Sequence, residues 1–265
     1  MTIAGQLLLP GRRDREGKIR EKWMPKAKQT EEKAKQTEEG GRAGRQRAVN
    51  DYRREIILAA ARRVFADQGL EGASLRAIAK EAGYTHGALY FYYASKEEIY
   101  GDLLAGSLDR LQAAVQAAGA GRVAPDERLL SATLAFFDYY RDSPGDLDLG
   151  FYLFRGMKPL GLTRELNADL NGRLRAALGG VERALDDLGL APEAAERETA
   201  ALFGQAVGLL LLVHTGRMRL FRLDGRELMA DYVGRLVVRL AAAQAAVCPP
   251  TAARNIDSSA GRSAQ

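Results

Sequence analysis

The chain has 265 residues, 46% of them hydrophobic, which is enough to build two packed units of ordinary domain size, and its Ala/Leu/Arg/Glu-rich texture favours helices over sheet. The formal net charge of +5 is concentrated at one end: residues 1–50 carry 13 Lys/Arg against 7 Asp/Glu, residues 51–100 carry 7 against 7, and the remainder 19 against 20. A single cysteine, Cys248, leaves no intrachain disulfide framework and fits a reducing cytoplasm, while two distant histidines and the lack of a phosphate-cradling glycine loop speak against a metal centre, a cofactor and an enzyme.

Residues 1–48 read as a disordered basic extension, whose charge favours nucleic acid by counterion release. Leu7-Leu8-Leu9 is too short for the apolar core of a signal peptide, and Met24 offers a second start. The heptad KAKQTEE stands at 26–32 and again at 33–39 without apolar a and d positions, so it cannot make a coiled-coil seam; a transient helix is the most order expected of it. The first folded helix is predicted over 51–68, with Ile57, Ala60, Ala61, Val64 and Phe65 on one face, Arg53 and Arg54 as phosphate candidates and Gly69 as its stop.

The stretch 74–98 reads as helix, turn, helix. Leu75, Ile78, Ala79 and Ala82 make one apolar stripe behind a Ser74 cap, and Gly83 can take the left-handed conformation that ends the helix. Thr85 caps a second, short helix carrying His86, Ala88, Leu89, Tyr90, Tyr92 and Tyr93. Leu89 and Tyr93 are expected to point inward, leaving His86, Gly87, Tyr90 and Tyr92 outward. Ser95 with Glu98 is a capping box that starts the next helix. An exposed helix start of small, aromatic and hydrogen-bonding side chains suits a DNA groove, and Arg76 on the outer face of the first reader helix can reach a base or a phosphate.

The order AGYTHGALYFYYASKEEIY, preceded by RRVFADQGLEGASLRAIAKE, resembles the N-terminal DNA-binding domain of the tetracycline-repressor (TetR) family. The resemblance covers about residues 53–104 and rests on Phe65, Gly69, Ile78, Ala79, Ala82, Gly83, Gly87, Leu89, Tyr90, Tyr93 and Lys96 standing at the family's spacing; Tyr92 departs from the His of many members. It implies that Tyr90, Tyr92 and Lys96 contact phosphates and that His86, Gly87 and Ala88 lie near base edges. Ser74, Arg76 and Thr85 complete the DNA-facing set. It further implies a homodimeric repressor on a palindromic operator, released by a small apolar or amphipathic effector.

Beyond the reader, a long helix from Ser95 carries Ile99, Leu103, Leu104, Leu108, Leu111 and Val115, and is the natural hinge element. Amphipathic helices follow: one with Leu129, Thr133, Phe136, Phe137 and Tyr140, ended by Ser143-Pro144-Gly145; an aromatic segment with Phe151 and Phe154; and one with Leu166, Leu170, Leu174, Leu178, Val181 and Leu185. Thr133, Phe137, Tyr140, Phe151, Phe154, Asn171, Leu174, Gln205 and His214 are the candidate effector pocket, with Asn167 as a further polar anchor; a plain helical core is the competing reading of the aromatics. Residues 199–216 hold no charge, yet Gly204, Gln205, Gly208, His214 and Thr215 dilute them too far for a membrane span. The helices over 192–216 and 226–246 are therefore predicted as the dimer interface.

The expected organisation is all-α: an extension to 48, a helix-turn-helix domain over 49–98, a regulatory and dimerisation domain over 99–247 and a disordered tail over 248–265. Two other function classes stay open on the sequence. One is a helical enzyme or small-molecule carrier with a vestigial reader. The other is a non-specific DNA-binding protein acting through the basic extension.

Overall fold

A computed structural model describes residues 26–151 and 162–247, with side chains described from residue 44 to 151 and from 162 to 246. Cys248, the tail beyond it and Phe154 lie outside the described residues. Every regular element among the described residues is helical: α1 (Lys26–Gly72), α2 (Leu75–Ala82), α3 (His86–Tyr90), α4 (Lys96–Gly119), α5 (Pro125–Asp142), α6 (Pro144–Phe151), α7 (Arg164–Asp187), α8 (Pro192–His214) and α9 (Gly225–Val247), with a 3-10 turn at Arg217–Leu220. None of the described helices is long and apolar enough to cross a membrane.

The chain divides into two compact units between Ala60 and Ala61, inside α1. The first is helical from Lys26, so residues 26–48, for which burial arguments predict a loose chain, form helix instead. Lys, Gln, Glu and Ala are strong helix formers, and a helix needs no apolar stripe to satisfy its own backbone. Ile57 and Ala60 are fully buried, as the predicted stripe requires.

The second unit holds the remainder of α1 and all that follows. Gly69, at φ 68° and ψ 172°, interrupts α1 where a stop is expected. Helix α4 is the central rod, packed on α5 and α7; α5 in turn lies against α7, α8 and α9, and α8 against α7 and α9. The core runs along this rod through Ile99, Leu103, Leu104, Leu108, Leu111 and Val115, all predicted, and continues into Leu129, Phe136, Phe137 and Tyr140. Helices α5 and α8 begin with Pro125 and Pro192, whose fixed φ preorganises the first turn, and have no side-chain cap, because Ala124 and Ala191 before them carry no hydrogen-bonding side chain.

Two local expectations are corrected. The second reader helix has five residues, so Tyr92 and Tyr93 lie past its end. And Ser143-Pro144-Gly145, read as a break, is also a beginning: Pro144 opens α6, the short helix on which the buried Asp146 sits.

Candidate nucleic-acid interface and effector cavity

The reader is built by three hydroxyl caps. Ser74 Oγ accepts from the Ala77 amide at 3.1 Å, Thr85 Oγ1 from Ala88 at 3.2 Å and Ser95 Oγ from Glu98 at 3.1 Å. Each satisfies an amide that a helix start leaves without an intrahelical partner. The return arm of the predicted capping box lands one residue early, with Glu98 accepting from Ala94 at 2.8 Å. Gly83, at φ 74°, closes α2, and the Tyr84 amide reaches back to the Ala79 carbonyl at 2.8 Å.

These caps orient α3 so that Leu89 is 0% exposed while His86, Gly87 and Tyr90 face out. His86 and Tyr90 stack edge to face, with ring centroids 4.7 Å apart, so the two outward rings form one aromatic surface. Tyr93 is buried and donates to Asp102 at 2.8 Å, fastening the end of the reader to α4. Ser74, Arg76 and Thr85 are exposed, Ala88 and Tyr92 half-buried. Lys96 is half-buried, and its ammonium donates to the Glu71 and Ala73 carbonyls, both at 3.0 Å. It therefore clamps the link between α1 and α2 to the start of α4, with one of its three N–H donors left for a phosphate.

Sequence reasoning missed Phe91. It is 80% exposed and packs edge to face on Tyr92 at 5.4 Å, because α3 stops at Tyr90 and the turn throws the next side chain outward. The only signal for it would have been the helix length. Also missed was Arg63–Glu81 at 2.6 Å, which joins α1 to the outer end of α2.

The helices beyond the reader border two half-open cavities among the described residues. One of about 260 Å³ lies among α4, α5, α6 and α7, with Leu104, Tyr140, Phe151, Asn167, Asn171 and Leu174 in its wall. The other, of about 320 Å³, lies between α7 and α8 and shares Asn171 and Leu174 with the first; Phe203 and Thr199 also line it. Phe151 touches Tyr140 at 5.7 Å and Phe203 at 5.8 Å, so an aromatic cluster links the two. Burial pushes the ionisation of the Tyr140 phenol well up, so it offers a neutral hydroxyl.

Of the predicted pocket residues, Tyr140, Phe151, Asn171 and Leu174, together with Asn167, share the cavity walls. Phe137 is 0% exposed in the core instead, and His214 spends its Nε2 on the Tyr140 carbonyl at 3.0 Å, the satisfied core histidine that an apolar helix usually holds. Gln205 is half-buried and lines neither cavity. Thr133 is buried outside both, and its hydroxyl and that of Thr199 have no hydrogen-bond partner among the described residues. No group of three or more potential metal ligands occurs among the described residues.

The most connected buried polar group belongs to neither site. Asp146 on α6 is 5% exposed and accepts from Arg62 of α1, from Arg110 of α4 at 3.0 Å and from the Tyr139 hydroxyl of α5 at 2.6 Å. Burial by itself would raise its pKa; the hydrogen bonds from Tyr139, Arg62 and Arg110 outweigh that and hold the carboxyl below the usual carboxylate range.

Residues 57–103 match the family model described as bacterial regulatory proteins, tetR family. Among curated proteins, the chain is 36% identical over 107 residues to the HTH-type transcriptional activator FasR of Mycolicibacterium smegmatis, covering 40% of this chain and 49% of the relative. It is 42% identical over 91 residues to the HTH-type transcriptional repressor KstR2 of Mycobacterium tuberculosis, covering 34% and 44%. The chain thus spans about half the length of the curated relatives it matches. The fold extends further: a tetR-family regulatory protein from Rhodococcus RHA1 superposes with a TM-score of 0.54 at 24% identity, over 71% of this chain and 96% of that one. FadR of Bacillus subtilis, solved in complex with stearoyl-CoA, superposes with a TM-score of 0.54 at 20% identity over 69% and 97%. The sequence match to the tetR family thus lies in the reader, residues 57–103, and beyond it the chain shares the helical fold of solved regulatory proteins.

Proposed function

We propose that the protein is a homodimeric cytoplasmic transcription repressor that binds a palindromic operator and is released by a small apolar or amphipathic effector. The observation that carries this reading is the outward face of α3, with His86, Gly87 and Tyr90 presented from a capped helix start while Leu89 anchors the other side. Bases meet His86, Gly87 and Ala88; phosphates meet Tyr90, Tyr92, Ser74, Thr85, Arg76 and the remaining donor of Lys96. The division of labour follows the chain, with reading over 49–98 and regulation and dimerisation over 99–247. Repression needs only that the operator be occupied, whereas activation needs a further surface for the transcription machinery. Relatives with similar readers include both an activator and a repressor, so the sign of control does not reside in the reader.

One five-residue helix reads few base pairs, and a second copy placed about one DNA turn away, roughly 34 Å, multiplies the contacts. Helices α8 and α9 suit that pairing. Ala201, Gly204, Gly208 and Leu211 line an exposed strip of α8, and Gly234 and Val238 an exposed strip of α9. A Cβ added at Gly204, Gly208 or Gly234 would meet nothing within 4 Å, so a partner backbone can come close. Glu227, Asp231 and Arg235 flank the α9 strip with both signs of charge, which a twofold axis makes self-complementary.

The cavities support an effector that is mostly apolar with one or two hydrogen-bonding groups, since Leu104, Phe151 and Leu174 share a wall with the half-buried Asn167 and the exposed Asn171. A FadR of the same fold was solved with stearoyl-CoA, which places an acyl-chain ligand first among compounds to try here. The test is a gel-shift titration on a duplex selected by the chain itself, comparing wild type with Tyr90→Ala and His86→Ala, with sedimentation to count subunits. Both variants should lose at least about tenfold in affinity, and the wild type should sediment as a dimer. Unchanged affinity in folded variants, or a lone subunit on the duplex, would refute the assignment.

A further inference from the structure

Between the cavity and Arg62 of α1 stands α6, a helix of eight residues and about 12 Å. Near one end, Gly150 and Phe151 form part of the wall of the 260 Å³ cavity. Near the other, Asp146 receives Arg62. The next residue of α1, Arg63, holds Glu81 of the reader helix α2 at 2.6 Å. Successive residues on a helix project about 100° apart, so the two arginines leave α1 in different directions: Arg62 reaches Asp146 of α6 and Arg63 reaches Glu81 of α2. Phe65, one turn further on, packs edge to face on Tyr100 at 5.9 Å, and the Tyr100 hydroxyl donates to the Leu149 carbonyl of α6.

Resting on the regulator reading above, we infer that the Arg62–Asp146 pair is a releasable coupling contact, through which displacement of α6 by a cavity occupant reorients α1 and the reader carried on it. The asymmetry of the pair gives the direction. Asp146 is buried and keeps Arg110 and Tyr139 whether or not Arg62 stays. The Arg62 side chain is 41% exposed and can exchange the carboxylate for water. Parting the two therefore leaves no bare charge in the core, which is the condition for a switch that opens at modest cost. Arg62 is a positioning residue: it meets neither DNA nor effector, and acts by fixing the angle of α1.

The geometry supplies its own mimic of an occupant. A Cβ at Gly150 would stand 3.6 Å from the Tyr140 hydroxyl and 3.9 Å from a Leu104 methyl, ordinary contact, so Gly150→Ala fits and the rest of a leucine must enter the cavity. The full chain is compared as wild type, Gly150→Ala, Gly150→Leu, Arg62→Met, Arg62→Lys and Arg62→Met/Gly150→Leu, by fluorescence anisotropy on the selected duplex, with thermal melts to verify folding. Gly150→Leu should weaken DNA binding by at least about fivefold and Gly150→Ala should not. In the Arg62→Met background the leucine should add less than about twofold, and Arg62→Lys should restore most of the response. Equal losses in both backgrounds, or a folded Gly150→Leu with wild-type affinity, overturn the coupling.

A second measurement does not depend on leucine being tolerated at 150. Linkage is reciprocal, so DNA must tighten the pair as the pair tightens DNA binding. In wild type labelled at arginine, the Arg62 guanidinium, assigned by its loss in Arg62→Met, should exchange with solvent more slowly on the duplex than free. Equal or faster exchange overturns the proposal. A wild-type chain that selects no duplex would instead overturn the regulator reading itself.

Discussion

The reader and the helices beyond it solve the problem of making a helix in different ways. Helices α2 and α3, of eight and five residues, are too short to be held by their own ladders and are started by side-chain caps from Ser74 and Thr85. Helices α5 and α8, of 18 and 23 residues, start on proline with no cap and are sustained by the faces they bury. Function follows the same divide. In the reader the buried residues are scaffolding and the exposed ones are the candidates for contact; in the bundle the candidate action lies in cavities, and Asp146, the one buried charge among the described residues, is the proposed link between the two. A short, locally specified element can present chemistry outward with little core of its own, whereas an enclosed site needs several long helices to close around it.

The contrast is broken most severely at Leu89. It is 0% exposed in a helix of five residues, and Leu89→Ala should cost about 2–5 kcal/mol and abolish operator binding, seen as a lowered melting temperature together with a lost gel shift. Asp146→Asn comes next, about 2 kcal/mol, less than for a fully enclosed pair because Arg62 and Arg110 are partly exposed. The same carboxylate predicts an acid response. Because its folded pKa lies below the unfolded value of about 3.9, its contribution is complete above that value and disappears as pH falls through the folded pKa. Urea melts at neutral pH and at pH 3 should therefore differ less for Asp146→Asn than for wild type. A wild type no more acid-sensitive than the variant would remove Asp146 from the account.

Removing a reader cap is milder. Thr85→Ala should cost about 1 kcal/mol by urea denaturation, and because α3 has so few other supports it should weaken DNA binding as well. Least of all in stability, and most informative, is Tyr90→Ala. With its ring exposed, the melting curve should move by less than about 0.5 kcal/mol while affinity for the selected duplex falls. A stability loss comparable to that of Leu89→Ala would show Tyr90 to be scaffold and not contact.

Much of the reader was legible because its determinants are local. Ser74, Gly83, Thr85 and Ser95 act within four residues of where they stand, so their hydrogen bonds could be read from spacing, and the inward turn of Leu89 and Tyr93 followed. The length of α3 was not legible, since a helix end depends on what the next turn packs against, and Phe91 was missed with it. In the bundle, periodicity identified the core of α4 and, in α7, Leu170, Val181 and Leu185 but not the buried Ala177 and Ala184, and which apolar residues line a void and which fill one depends on neighbours far along the chain. Hence Tyr140, Phe151, Asn171 and Leu174 line cavities, while Phe137 and His214, equally eligible by pattern, are spent on packing and on a carbonyl.

Sequence alone determined the all-helical class, the caps and stops of the reader, and the family resemblance, because each rests on residues within a turn or two of one another. Only the tertiary structure decided that Asp146 is buried among Arg62, Arg110 and Tyr139, residues 84, 36 and 7 positions away. A carboxylate four residues after a helix end reads as surface until three other helices bring their donors to it, and no local pattern records that meeting.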